Sequence, residues 1–214
     1  MTISDQPIAE QTAAMLLDCG AVKLNLENPF IWASGWKSPI YCDNRVTLSF
    51  PDVRNFIKHN LTNEVAKHFP TVEAVAGVAT AGIPQGVLVA DEIGLPFAYV
   101  RAEAKSHGMK NLIEGKLESG SQVVVIEDLI STGSSSLKAI DALRQAEIRV
   151  LGLIAVFSYS FPQAAAALIE AKVPTFSITN YETLLQVALG KNLIQAEQLQ
   201  TLNFWRQSPD LWPA

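Results

Sequence analysis

Residues 123–136 read Val123-Val124-Val125-Ile126-Glu127-Asp128-Leu129-Ile130-Ser131-Thr132-Gly133-Ser134-Ser135-Ser136, and this stretch decides the fold. Four branched apolar residues in a row fit a short strand buried on both faces. Two carboxylates, Glu127 and Asp128, follow at its end. The six residues from 131 to 136 are all small and can expose backbone N–H groups. Residues 137–147 read as a helix, with Leu137, Ile140 and Leu143 on one face. A loop of N–H donors between a strand end and a helix N-terminus is an anion site, and phosphate is the anion that fits it.

The acidic pair just before that loop is the unusual part. A carboxylate beside a phosphate repels it, so these two must serve another group. An ionised carboxylate accepts hydrogen bonds and a sugar diol donates two. A ribose 5-phosphate satisfies both halves at once. No Gly-Lys-Ser/Thr pattern occurs in the loop, so it is not of the Walker type. The plain alternative is a strand, a turn and a serine N-cap. Glu127 and Asp128 standing directly in front favour the sugar-phosphate reading.

The remaining segments alternate. Residues 8–19 read as a helix, 20–50 as irregular or β, and 51–69 as a helix opened by Pro51-Asp52. Residues 74–79 read as a buried strand, 80–84 as a turn, 84–93 as a helix ending at Gly94, and 97–101 as a strand. A strand is expected at about 149–157, and 163–206 reads as largely helical. Strands alternating with helices predict an α/β fold with a doubly wound, mainly parallel sheet in one domain over 1–214. Ligands in such sheets lie beyond the carboxyl ends of the strands, where loops 80–84, 101–115 and 127–136 fall.

Composition narrows the class. The chain has 214 residues, 49% hydrophobic and 17% charged, which suits a folded protein with a sizeable core. A net charge of −5 argues against a broad nucleic-acid surface, so phosphorylated small molecules must be met by a few placed cations. Cys19 and Cys42 have no metal or Cys-x-x-Cys spacing and are expected as free thiols. His59 and His68 have no ligand partner at metal spacing. Residues 2–10 are polar and acidic, so no signal peptide is expected, and no apolar run reaches membrane length. These features predict a cytoplasmic protein with no membrane partner.

Loop 101–115 carries three cations (Arg101, Lys105, Lys110), His107 and two glycines, with no clear period. Long loops of this kind in compact domains are often functional lids. Arg101, Lys105 and His107 are suited to pyrophosphate oxygens, because charge-assisted contacts to phosphate are strong.

These motifs carry a resemblance. Residues 126–133, two acids followed by a small loop with Thr-Gly, are similar to the signature of type I phosphoribosyltransferases. Arg101…Lys105-x-His107-Gly108 resembles the flexible catalytic loop of the orotate branch of that family. Residues 29–45 (Pro29-Phe30-Ile31-Trp32-Ala33-Ser34-Gly35-Trp36-Lys37-Ser38-Pro39-Ile40-Tyr41-Cys42-Asp43-Asn44-Arg45) resemble that branch's N-terminal hood, here at about 20–50. Thr80-Ala81-Gly82 is similar to the short pyrophosphate loop. Ala33, Ala81 and Ala102 stand where some members have lysine. With alanine at 102, one phosphate interaction is missing or supplied elsewhere, and Lys110 is the candidate.

The resemblance implies transfer of ribose 5-phosphate from phosphoribosyl pyrophosphate (PRPP) to orotate, a step of pyrimidine nucleotide (UMP) synthesis. It implies a PRPP site of Arg101, Lys105, His107, Glu127, Asp128, Leu129, Ile130, Ser131, Thr132, Gly133, Ser134 and Ser135. It implies orotate contacts at Ser131, Lys37 and Tyr41, with the Tyr41 ring suited to a flat pyrimidine face. Catalysis falls to Arg101, Lys105, His107 and Asp128. Mg²⁺ is implied as cofactor, carried by PRPP oxygens, with Asp128 the candidate protein ligand. A homodimer with a shared active site is implied as well. The alternatives are transfer to another base, or a non-catalytic nucleotide-binding regulator of the same fold.

Overall fold

A computed structural model of the chain describes residues 1–32, 35–103, 112–210 and 212. Along the chain run β1 (Thr2–Ile3), α1 (Gln6–Asp18), β2 (Val22–Leu24), β3 (Phe30–Ile31), β4 (Lys37–Ser38), β5 (Ile40–Cys42) and a 3-10 turn (Asn44–Ser49). Then come α2 (Pro51–His68), β6 (Ala74–Val78), α3 (Gly82–Ile93), β7 (Phe97–Val100), β8 (Ile113–Glu114) and β9 (Gln122–Ile130). The chain continues with α4 (Ser134–Gln145), β10 (Arg149–Ser158), α5 (Pro162–Glu170), β11 (Thr175–Asn180), α6 (Tyr181–Gly190) and α7 (Gln198–Gln207). Among the described residues no helix is long and apolar enough to cross a membrane.

Seven strands form one sheet in the order β1-β11-β10-β9-β6-β7-β8. All neighbours are parallel except β7 and β8. The middle strands explain the unbroken apolar runs. All five residues of β6 and residues 123–127 of β9 are buried, so each presents side chains to covered faces on both sides. The expected doubly wound sheet is therefore observed.

Chain direction locates the site. From β6 the chain crosses through α3 to β7 on one side, and from β9 through α4 to β10 on the other. Crossovers are right-handed, so two that step in opposite directions put their helices on opposite faces. α3 packs on α2, and α4 packs on β10, with no pairing of α3 and α4 among the main element contacts. The carboxyl ends of β6 and β9 thus flank the crevice where the winding reverses, the place where such sheets take ligands.

Three expectations need correction. β9 does not end before the acids but runs through Glu127 and Asp128 to Ile130. Its ladder with β6 stops at Gly77–Ile126, whereas the ladder with β10 continues to Ser158–Ile130. The helix after the loop begins at Ser134, three residues earlier than its apolar face suggests. The segment 163–206 is not helical throughout, because β11 pairs with β10 and β1 inside it. Thr175, Phe176, Ile178 and Thr179 are strand formers, and their burial beside β10 overrides the helices on either side.

Residues 20–50 make two small antiparallel pairs, β2 with β5 and β3 with β4. They are fastened to the main body by aromatic rings. Trp32 lies 5.1 Å from Tyr159 and 5.6 Å from Trp205, centre to centre. Trp205 of α7 is fully buried, and its Nε1 donates to the Lys37 carbonyl at 3.2 Å.

Gly152 sits at a register shift of β10 against β9. A Cβ there would lie 2.2 Å from Phe69 Cζ and 2.7 Å from the Pro174 carbonyl oxygen, so backbone or ring must move. Gly152→Ala is expected to cost about 1–3 kcal/mol. The check is urea unfolding, with a lower midpoint at unchanged slope.

Candidate active site

The site forms where β9 loses β6. Beyond Ile126 the strand is laddered only to β10, so its other edge opens into the crevice. Glu127 is 5% exposed and Asp128 is half-buried. Ser136 Oγ donates to Glu127 Oε2 at 3.1 Å, and the Asp128 N–H donates to Glu127 Oε1 at 3.2 Å. The Asp128 carbonyl accepts from Asn44 Nδ2 at 2.7 Å, which ties the 3-10 turn to the strand end. Among the described residues neither carboxylate forms an ion pair. Arg45, the nearest guanidinium in the electrostatics of Asp128, is held by Asp43 at 2.6 Å and 2.8 Å.

Burial pushes the Glu127 carboxyl well above its ordinary value, and the Asp128 charge beside it adds to the rise. Burial raises Asp128 too, restrained by hydrogen bonds from the Glu127 carboxyl and from backbone N–H groups. A buried acid beside a half-buried one, with no paired cation among the described residues, is costly in a ligand-free protein. A partner that donates hydrogen bonds to them, or a hard cation that prefers oxygen ligands, would relieve that cost. The all-oxygen pair therefore fits both a sugar diol and Mg²⁺.

The next turn supplies the opposite polarity. Gly133 has φ +79°, which a residue without Cβ adopts easily, and it caps α4. No side chain caps the helix, so its first-turn N–H groups point from the loop without a side-chain acceptor. Ser131 is half-buried, and Thr132, Ser134 and Ser135 are exposed around them. This is a cradle for a phosphate-sized anion.

One hollow borders it, and another lies beyond the carboxyl ends of β6 and β7. The first, about 600 Å³, is lined by Ile31, Trp32, Trp36, Tyr41, Cys42, Leu129, Ser131, Thr132 and Tyr159. The other, about 360 Å³, is lined by Ala79, Thr80, Ile83, Tyr99, Arg101, Ala102 and Glu103. The peptide between Ala79 and Thr80 is cis. Arg101 Nη1 lies 3.5 Å from Glu114 Oε1, on the strand that folds back along β7.

The structure thus brings together Glu127, Asp128, Leu129, Ile130, Ser131, Thr132, Gly133, Ser134 and Ser135 along one stretch, with Tyr41 across the larger hollow. Arg101 lines the smaller hollow beside Thr80. Lys37 is not among the residues lining the larger hollow. Its exposed side chain sits on β4, and its carbonyl is engaged by Trp205. Lys105, His107 and Lys110 lie outside the described residues. Sequence reasoning counted Ser136 only among the N–H donors of the loop, not as a partner of Glu127, and gave no site role to Asn44, Trp32, Trp36, Cys42 or Tyr159. Ser136 was legible in principle, at the end of the small-residue run and on the buried side of α4. Tyr159 was signalled only by a polar-aromatic run at a strand's carboxyl end.

Residues 52–183 match the family described as the phosphoribosyl transferase domain. The chain is 54% identical over 202 residues to the orotate phosphoribosyltransferase of Bacteroides thetaiotaomicron, covering 94% of this chain and 95% of that one. It is 50% identical over 205 residues to the orotate phosphoribosyltransferase of Listeria innocua, covering 96% and 98%. The crystal structure of orotate phosphoribosyltransferase from Aeropyrum pernix superposes with a TM-score of 0.73 at 31% identity, covering 84% of this chain and 98% of that one.

The raised Glu127 carboxyl has a signed consequence for stability. A carboxyl whose folded value is raised favours folding in its protonated form. That contribution is full below the ordinary value of 4.5 and is lost as pH rises through the raised value. Glu127→Gln keeps the shape without the charge. The ligand-free variant is expected to melt above the parent at alkaline pH, with the gap closing toward the ordinary carboxylate range. Calorimetric midpoints of both proteins across that range decide it, and a pH-independent gap would refute the titration.

Proposed function

The chain belongs to the orotate phosphoribosyltransferase family, and we propose that it joins orotate to PRPP, giving orotidine 5′-monophosphate and pyrophosphate. The observation that carries this reading is the buried acidic pair, without an ion-pair partner among the described residues, set directly before an uncapped N–H cradle. A ribose 5-phosphate needs both, one for its diol and one for its phosphate.

A ring nitrogen of orotate attacks the anomeric carbon as pyrophosphate leaves, and the sugar centre gains oxocarbenium character. Glu127 and Asp128 accept from the ribose hydroxyls and orient the ring for in-line attack. The N–H groups of residues 131–135 hold the 5-phosphate. Together they fix the anomeric carbon between the two hollows. The larger hollow, with Tyr41, Ser131 and Thr132, takes the flat base. The smaller, with Thr80 and Arg101, faces the leaving pyrophosphate. Mg²⁺, when bound, neutralises pyrophosphate charge, and Asp128 is the protein group suited to hold it directly or through water. By resemblance, Lys105 stabilises the departing charge and His107 binds or protonates it. Closure of their loop excludes water from the activated sugar.

We read residues 1–214 as one functional unit acting in the cytoplasm as a homodimer, with loop 101–115 reaching the partner's site. Lys37 contributes to the base site through main-chain groups near it.

Purified protein with PRPP, Mg²⁺ and orotate is expected to consume orotate absorbance, and to leave uracil and adenine untouched. No turnover with any base would overturn the transferase reading. Lys105→Ala is expected to lower kcat about 100- to 1,000-fold with little change in substrate binding, as for loss of one donor aimed at developing charge. Asp128→Asn is expected to weaken PRPP binding in a titration without unfolding the protein. Mixing the two inactive variants should restore part of the activity in heterodimers. Heterodimers without activity would refute a shared site.

A further inference from the structure

The larger hollow is lined by a tyrosine side chain whose hydroxyl the mechanism above does not use. Tyr159 follows the last residue of β10 and is 1% exposed. Its ring is clamped by Trp32 at 5.1 Å, by Phe157 edge-on at 5.2 Å and by Phe161 nearly parallel at 5.4 Å. Yet it lines the cavity together with Ser131, Thr132 and Tyr41. Its hydroxyl is not among the fully buried unpartnered oxygens of the described residues, so the oxygen itself keeps accessible surface although the ring is enclosed. Neighbouring Tyr181, 6.3 Å away, donates to the Leu202 carbonyl at 3.0 Å. Among the described residues, no protein group hydrogen-bonds the Tyr159 hydroxyl.

We propose that Tyr159 is a specificity-determining residue, whose hydroxyl donates a hydrogen bond to an exocyclic oxygen of the pyrimidine seated in this cavity. The inference rests on the reading that the cavity takes the base. Three features carry it. The aromatic lining suits a flat ring and leaves few polar groups to choose among bases. The described residues that line the cavity include hydroxyl-bearing side chains, Tyr41, Ser131, Thr132 and Tyr159, and no lysine or arginine, so the donors they offer to the base are neutral. The clamp of rings holds the hydroxyl in place before the ligand arrives, so little is lost in ordering it.

The phenol keeps its proton under neutral conditions. Burial pushes it well above its ordinary value, and the nearby Cys42, Tyr181 and Tyr41 add to the rise. It is therefore a donor, matched to a base that presents carbonyl and carboxylate oxygens. A base offering only N–H groups at that position would leave the hydroxyl unpaired, which is how a buried polar group rejects a wrong ligand.

The test is Tyr159→Phe, which keeps the ring clamp and removes only the oxygen. The KM for orotate is expected to rise about tenfold to a hundredfold, as for loss of one hydrogen bond to a polar or charged acceptor. The KM for PRPP and the thermal midpoint should stay at the parent values. An orotate KM within about twofold of the parent would overturn the proposal. So would a loss of midpoint with equal weakening of both substrates, since that pattern marks a structural hydroxyl. Calorimetric titration with orotate separates this from the reaction itself. A parent that binds orotate without turnover refutes the transferase reading, while the affinity ratio of the two proteins still decides the role of Tyr159. A parent that neither binds nor consumes orotate overturns both.

Discussion

The site depends on one unequal pairing. β9 is held on both edges up to Ile126 and on one edge beyond it. That arrangement lets the strand carry Glu127 and Asp128 into a crevice without losing its place in the sheet. Were β6 to continue alongside, the crevice would close. Were β10 to stop as well, Ile130 and the turn at Gly133 would lose their anchor, since the Tyr159 N–H also donates to the Ile130 carbonyl at 3.0 Å. Opposite winding on the two sides of β6 and β9 is what makes the crevice possible, and the acids and the N–H cradle are the chemistry placed in it.

The hood solves a different problem. Its two strand pairs are too short to stand alone, because an isolated two-stranded ribbon is marginal in water. Stability comes from rings that bridge three distant parts of the chain. Trp32 from the hood, Tyr159 and Phe161 from the end of β10, and Trp205 from α7 meet within 6.4 Å, centre to centre. Tilted and edge-on pairs of this kind add about 0.5–1.5 kcal/mol each beyond area burial. Trp32 and Tyr159 of this cluster also line the larger hollow, so the packing that fastens the hood also shapes that hollow. A C-terminal helix with no catalytic motif thereby bears on the site, through Trp205 and the Lys37 carbonyl.

What was legible in sequence follows from what is local. The apolar runs at residues 74–78 and 123–126 are fixed by neighbours in the chain and appear where the pattern puts them, while the small loop before α4 is present but shortened by the strand and the helix on either side. β11 was not legible, because Thr175, Phe176 and Ile178 form a strand only beside β10, which the chain reaches from far away. The extension of β9 through two acids was hidden for a similar reason. Charged residues seldom sit inside a parallel strand, and only the loss of β6 at Ile126 makes room for them. Lys37 was expected through main-chain groups near it and is not among the residues lining the hollow, whereas Tyr41, in the middle of β5, lines it.

The raised acids connect stability to ligand binding. A diol or a cation needs Glu127 and Asp128 ionised, whereas burial in the ligand-free protein favours the proton. Binding therefore expels whatever proton the pair holds, and affinity must rise with pH until both acids are already charged. The same linkage runs in reverse. A ligand that favours the ionised pair removes the penalty that the folded protein carries, and so stabilises it by an amount that grows with the logarithm of its concentration relative to its dissociation constant. The cradle at Gly133 carries no buried charge of its own, and Thr132, Ser134 and Ser135 around it are exposed. The two halves of the site thus contribute differently: the cradle offers N–H donors to a phosphate, and the acidic pair supplies the part of the affinity that depends on its own protons and on the cation.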